Sequence, residues 1–381
     1  MPRRTPPSRL FAFTPIASAL VLAISACSQD GPPPEPPIDP EVLETVVVEP
    51  GISREALARA VDDLFVLPGL GETRAVVIMH KGEIVAERYA DGYDPDMRHV
   101  GWSMAKTVTG VIIGMMVADG RLRLNDPAPV PIWQRSGDPR GEITLRHLLQ
   151  MRSGLQHDEM SEPVYNSAAV RMMYMDGRDD MAAWAQAQPL AHEPGSTFNY
   201  STPTSVILAD IATDLIAPEG TATQRQEAMS EFIDARLAVP LDMPSLVGEF
   251  DASGTLQGGS SVWATARDWA RFGEFMRDGR SALGTQIVPR GWIDLMRTPS
   301  PAAPDYGAQL WLNRDSETRR DHLFAEQGPD TAFALVGHQG QYVIVSPQQR
   351  LTVVRLGKTD DSQRAALMDE LAQIFALYPS G

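Results

Sequence analysis

A single cysteine, Cys27, in 381 residues excludes any disulfide within the chain. Stability must come from packing, even if the protein is exported. Lysine is almost as scarce. Lys81, Lys106 and Lys358 are the only three among 33 basic residues. Arginine supplies the rest, and its pKa is too high for proton transfer near neutrality. The seven histidines show no H-x-H, H-E-x-x-H or Cys/His spacing, which argues against a metal site. G-x-S-x-G, G-x-G-x-x-G and the P-loop pattern are all missing, so no cofactor is expected. Positive charge is also short, with 33 basic against 49 acidic residues and a formal net charge of −16. Such a surface disfavours nucleic acid and anionic lipid headgroups.

The N-terminus has a pattern of its own. Arg3, Arg4 and Arg9 precede a short apolar run, Leu10 to Ile24, broken by Thr14 and Pro15. The run is too short for a comfortable membrane span. It ends in Ile24-Ser25-Ala26-Cys27 and resembles a bacterial lipoprotein signal. That predicts a signal peptide over 1–26 and lipidation of Cys27. It places the protein outside the cytoplasm, anchored to a membrane at the periplasm or outer membrane. A secretory signal cut near Ala26 is the plainer alternative. Losing Arg3, Arg4 and Arg9 with no acid lowers the net charge by three, to −19. The proline-rich stretch within 27–50 reads as a semi-rigid linker. Residues 51–381 form the folded domain, with a helical lobe over about 120–260.

Along that domain, Ala75–His80 and Glu83–Tyr89 read as a hairpin about Lys81-Gly82. Met104 to Ala118 is apolar on nearly every side, which predicts a buried central helix closed by Asp119-Gly120. Thr144 is a candidate N-cap for Leu145–Met151, and Met172–Gln188 reads as helical. Pro203 suits the first turn of a helix through Leu215. Thr265 and Asp268 look like a capping box. Strands follow at Gly307–Leu312, Ala332–Gly337, Gln341–Val345 and Leu351–Leu356, then a helix over Ser362–Tyr378. This order predicts an α/β (α+β) fold. An antiparallel sheet is flanked by helices, with an inserted all-helical lobe and a cleft between them.

The chemistry starts at Ser103-Met104-Ala105-Lys106. Residues at i and i+3 of a helix share a face, so an amine in an apolar setting can reach the serine hydroxyl. Burial lowers a lysine pKa and makes it a usable base. The helix start also leaves backbone N–H groups free to hold an oxyanion. A second group is Tyr200-Ser201-Thr202, between a Pro-Gly turn and a helix. A phenol beside the Lys106 ammonium would have a lowered pKa and could shuttle the proton. Alone, Tyr200 reads as a half-buried tyrosine. A third group is Gly337-His338-Gln339-Gly340. Its small residues admit a substrate backbone, and the N–H of Gln341 is a candidate second oxyanion donor beside that of Ser103. His338, Gly340 and Thr202 are candidate substrate-binding residues. Alone, this segment reads as a strand-entry turn.

In this order the groups resemble the penicillin-recognising serine hydrolases. The likeness is to class C β-lactamase-like proteins in the branch of esterases and 6-aminohexanoate-dimer hydrolases. It spans about residues 60 to 360. The motifs are Trp102 to Thr107, Asp119-Gly120-Arg121-Leu122, Ile143 to Gly154, Pro194 to Ser201, Gly258-Gly259-Ser260, Ala264 to Asp268 and Gly337 to Gln341. The resemblance implies a β-lactamase/D,D-peptidase-like fold. It also implies an acyl-enzyme on Ser103, with Lys106 and Tyr200 handling the proton.

Some positions depart from that pattern. Relatives with β-lactamase activity usually carry lysine where His338 stands, and often asparagine where Thr202 stands. A histidine holds a substrate carboxylate less well than a lysine. In the nylon-oligomer branch a tyrosine often follows an Asp-Glu pair; here Met160 follows Asp158-Glu159, and Tyr165 is the nearby tyrosine. The expected function is therefore a serine hydrolase acting on a small ester or amide. A β-lactamase or D,D-carboxypeptidase is the alternative enzyme, and a non-catalytic surface lipoprotein with a binding cleft is the alternative of another class. Oligomeric state is not legible in this sequence.

Overall fold

The structure, a computed structural model, describes residues 37–316 and 322–379. Cys27, the expected signal peptide and the proline-rich start of the expected linker lie outside the described residues. No described helix is long and apolar enough to cross a membrane.

Nine strands are described: β1 (Glu72–His80), β2 (Glu83–Tyr89), β3 (Arg98–Val100), β4 (Val247–Gly248), β5 (Val262–Thr265), β6 (Trp311–Leu312), β7 (Phe333–Gly337), β8 (Gln341–Ser346) and β9 (Leu351–Lys358). Six form an antiparallel sheet in the order β2-β1-β9-β8-β7-β6, and β3-β5-β4 form a small second sheet. The central strands are covered on both faces, so β8 and β9 are buried along almost their whole length. Side chains still alternate between faces. Val76, Ile78, Tyr342, Ile344 and Val353 share one core with helices Arg54–Val66 and Arg364–Ala376. Val77, Val343, Val345 and Val354 share the other core with the central helix Ala105–Ala118 and with helix Ala266–Phe275. Each such aliphatic side chain contributes about 1.5–3 kcal/mol by leaving water. Gly273 lets helix Ala266–Phe275 press on the sheet, since a Cβ there would stand 2.6 Å from Thr352 Cγ2.

The central helix is buried from Ala105 through Met116 and packs on helix Thr202–Ile216. Between β3 and β4 lie helices Leu145–Leu149, Ala168–Tyr174, Met181–Gln186, Thr202–Ile216 and Ala222–Ile233. The run expected over Met172–Gln188 is two helices. Asp180 caps the second by accepting from Ala183 N at 3.0 Å. The strand expected from Gly307 shrinks to Trp311–Leu312. Gln309 takes a positive φ of 60°, and Gly307 N bonds Leu310 O in a turn. The Gln309 amide is spent on Leu149 O at 3.0 Å, tying this turn to the helical region.

Candidate active site

The sequence Gly101-Trp102-Ser103 makes a sharp entry to the central helix. Trp102 has φ +47°, a region costly for a bulky side chain, and Trp102–Met104 form one 3-10 turn before the α-helix begins at Ala105. Gly101 is anchored by its N–H to Val262 O at 2.7 Å. It has no room for a side chain, because a Cβ would lie 2.5 Å from the Trp269 ring. Ser103 is thus held half-buried at a helix start, where N–H groups lack partners within the helix.

Lys106 follows one turn later, with 1% of its surface exposed. Its Nζ lies 2.9 Å from Ser103 Oγ, 2.9 Å from Thr202 Oγ1 and 2.8 Å from Gly259 O. Burial pulls its pKa down to about 8, against a smaller upward pull from the Glu159 carboxylate.

Tyr200 precedes helix Thr202–Ile216, which Ser201 caps by accepting from Thr204 N. The approach is pinned by Asn199 N to Met151 O at 2.8 Å and by Asn199 Nδ2 to His157 O at 3.1 Å. The Tyr200 ring packs 5.3 Å from Trp311 and 5.8 Å from Tyr306, centroid to centroid, with Lys106 Nζ 4.9 Å from its own centroid. The expectation of a lowered phenol pKa fails. Burial first, then the Glu159 carboxylate, push it up, and hydrogen bonds with Ser103 and Trp311 offset only part of this. A half-buried phenol that is desolvated and faces a carboxylate keeps its proton.

The sequence marks the Asp158-Glu159 pair only for the residue that follows it and assigns Glu159 itself no role. In the fold it accepts from Thr202 N through Oε2 and from Thr202 Oγ1 through Oε1, both at 2.6 Å.

The third group divides. His338 is exposed and lines the cleft beside Trp102, ring edge to face at 5.7 Å. Gly340 and Gln341 do not line it. Gly340 packs toward Arg355, where a Cβ would stand 2.8 Å from Nη1. The Gln341 side chain donates to Gly357 O at 2.6 Å. Gln341 is also the strand partner of Gly337. Ala332 turns its carbonyl to Asn313 N on the β6 side, so strand alternation turns Gly337 toward β8 and spends the Gln341 N–H on the ladder. The expected oxyanion role of Gln341 and binding role of Gly340 are therefore corrected. By the same alternation the His338 N–H faces the edge of β7 that lies beyond the short strand β6.

The cleft encloses about 600 Å³. Met160, Val164, Val170, Met173 and Tyr174 make one apolar wall. Met160, Val164 and Tyr174 are 73%, 57% and 59% exposed, large apolar groups that no other part of the described chain covers. Tyr165 is exposed and does not line the cleft. The lining arginine, Arg364, is paired with Asp361.

The Beta-lactamase family model matches residues 59–377. The chain belongs to the Beta-lactamase family. It is a hydrolase with a Beta-lactamase fold, related to 6-aminohexanoate-dimer hydrolase and to carboxylesterases. It is 26% identical over 322 residues to a 6-aminohexanoate-dimer hydrolase of Paenarthrobacter ureafaciens, covering 82% of this chain and 79% of that one. A Bacillus anthracis protein provisionally described as a 6-aminohexanoate-dimer hydrolase has the same fold. Its TM-score is 0.63 at 22% identity, over 81% of this chain and 80% of that one. EstCE1, a hydrolase with promiscuous acyltransferase activity, superposes with a TM-score of 0.61 at 17% identity, over 84% and 98% of the two chains. Within this Beta-lactamase fold, Ser103 and Tyr200 line the cleft and Lys106 lies buried behind Ser103.

Proposed function

We propose that the protein is a serine hydrolase that cleaves a small, uncharged ester or amide through an acyl-enzyme on Ser103. The observation that carries this is the 2.9 Å contact between a buried, pKa-lowered amine and a hydroxyl facing a cleft. In the first half-reaction Ser103 Oγ bonds the substrate carbonyl carbon and its proton passes to Lys106 Nζ. The oxyanion is held by the N–H groups of Ser103 and His338. Collapse breaks the bond to the alcohol or amine, which leaves with a proton returned from Lys106. In the second half, water loses a proton to the same amine as it attacks the acyl carbon, and Ser103 regains its hydroxyl. Tyr200, hydrogen-bonded to Ser103, keeps its proton and orients the nucleophile.

An ester or simple amide fits better than a β-lactam. Penicillins carry a carboxylate, and the arginine lining this cleft is already paired with Asp361. An apolar wall offers such a carboxylate nothing in exchange for its water. Export and lipid attachment at Cys27 belong to the same proposal; Cys27→Ser should move the protein from the membrane to the soluble fraction. The activity is tested with p-nitrophenyl butyrate, a matching anilide and nitrocefin, on the wild type and Ser103→Ala. Ester turnover lost in the variant supports the reading. Preferred turnover of nitrocefin would move the protein to the β-lactamases, and no turnover of any would favour a binding role.

A further inference from the structure

The hydrogen bonds around Lys106 can be counted proton by proton. Nζ has three oxygen neighbours: Ser103 Oγ, Thr202 Oγ1 and Gly259 O. The Gly259 carbonyl can only accept. A hydroxyl can do either, so Thr202 taken alone could offer its proton to a neutral amine and occupy the lone pair. Glu159 removes that choice. A carboxylate only accepts, so the Thr202 proton, 2.6 Å from Oε1, is spent on Glu159. The second carboxylate oxygen accepts from the Thr202 backbone at 2.6 Å, so the pair is held at two points. Thr202 can then only accept from Lys106.

Neutral Lys106 has two N–H groups and one lone pair. Gly259 O and Thr202 Oγ1 take the two N–H groups. We propose that Glu159 is a positioning residue: by holding the Thr202 hydroxyl proton it leaves the lone pair of neutral Lys106 directed at the Ser103 hydroxyl. This rests on the acyl-enzyme reading above and assigns its base. The Ser103 O–H bond breaks as an N–H bond forms on Lys106, and the freed oxygen pair attacks the carbonyl carbon. The resulting ammonium has three N–H groups facing the same three oxygens, so both protonation states are fully bonded without rearrangement. The charge that appears on Lys106 is then stabilised by the Glu159 carboxylate. The titratable groups facing Lys106 are Tyr200, whose ring lies 4.9 Å away, and Glu159. Tyr200 is no competing base, since burial and Glu159 both hold its proton on.

The test is the pH profile of kcat/KM on p-nitrophenyl butyrate for wild type, Glu159→Gln, Thr202→Val, Thr202→Ser and the Glu159→Gln/Thr202→Val double variant. Glu159→Gln should lower the plateau at least about tenfold. It should also move the acidic limb to lower pH, because the carboxylate that favours the ammonium is gone. Thr202→Val should lose activity to a similar extent, and Thr202→Ser, which keeps the hydroxyl, should recover most of it. The double variant should be no worse than Thr202→Val, since Glu159 acts through that hydroxyl. An unmoved limb with a lowered plateau would mean a merely structural glutamate. Losses that multiply in the double variant, or an unaffected Glu159→Gln enzyme, would equally overturn the proposal. In each of these cases activity that still depends on Ser103 leaves the acyl-enzyme reading standing. Equal turnover by wild type and Ser103→Ala would sink both.

Discussion

Lys106 Nζ donates to the carbonyl oxygen of Gly259 at 2.8 Å, and that carbonyl belongs to a residue with no space for a side chain. A Cβ at 259 would stand 2.8 Å from both Cγ2 and the carbonyl oxygen of Thr202. Gly259→Ala must therefore push apart the two groups that take the N–H bonds of Lys106. The expected result is a kcat at least about tenfold lower. Overpacking of this kind costs about 1–3 kcal/mol of stability. Ester kinetics and urea unfolding on the one variant check both.

The pH dependence follows from the buried amine. Burial lowers the Lys106 pKa from the ordinary 10.5 to about 8. The base must be neutral, so kcat/KM should rise with pH through a midpoint near 8 and fall away below it. A profile flat from pH 6 to 9 would mean that another group takes the proton.

The same shift has a stability consequence. The folded state binds the Lys106 proton less tightly than the unfolded chain does. The cost of burying the charge is therefore full below about pH 8, shrinks between about 8 and 10.5, and is absent above. Compared with Lys106→Met, the wild type should gain up to about 3 kcal/mol of stability across that window. Urea unfolding of the pair at pH 7 and pH 10 reads the difference. A gap that does not change with pH would contradict the burial argument.

Substrate choice can be read from the cleft wall. Met160, Val164, Val170 and Met173 favour an apolar acyl chain and penalise a carboxylate placed against them. p-Nitrophenyl hexanoate should have a kcat/KM at least about tenfold above the half-ester of adipic acid, which has the same length with a terminal carboxylate. Val170→Lys should narrow that ratio. Equal turnover of the two esters by the wild type would mean that the acyl group lies elsewhere.

Much of this molecule was legible in one dimension. The nearly all-round apolar character of residues 104–118 and the S-x-x-K spacing located the central helix and brought Ser103 to Lys106. β-rich runs flanking turn residues located β1, β2, β8 and β9. What stayed hidden depended on chain segments far apart in sequence. Glu159 gains meaning only when the fold lays its loop against Thr202, 43 residues later. Gly340 and Gln341 looked suited to the cleft as residue types. The ladder to Gly337 and the bulk of Arg355 turn them to the other side. In the sequence only Lys106 stands out as a neighbour for the Tyr200 phenol, whereas burial and Glu159, which raise its pKa, come from the fold. Helices Arg54–Val66, Ala222–Ile233 and Arg290–Met296 were not anticipated. The last is a short segment whose Trp292 reaches Gly110 O at 3.1 Å on the central helix. A tertiary contact of that kind leaves no local pattern.

The central claim is that Ser103 carries the acyl group. Mass spectrometry of the protein quenched during turnover of p-nitrophenyl butyrate, followed by peptide mapping, tests it directly. The account predicts a butyryl adduct on the peptide containing Ser103, absent from Ser103→Ala, and a fluorophosphonate adduct at the same residue. An adduct on another serine, or labelling that survives in Ser103→Ala, would contradict it.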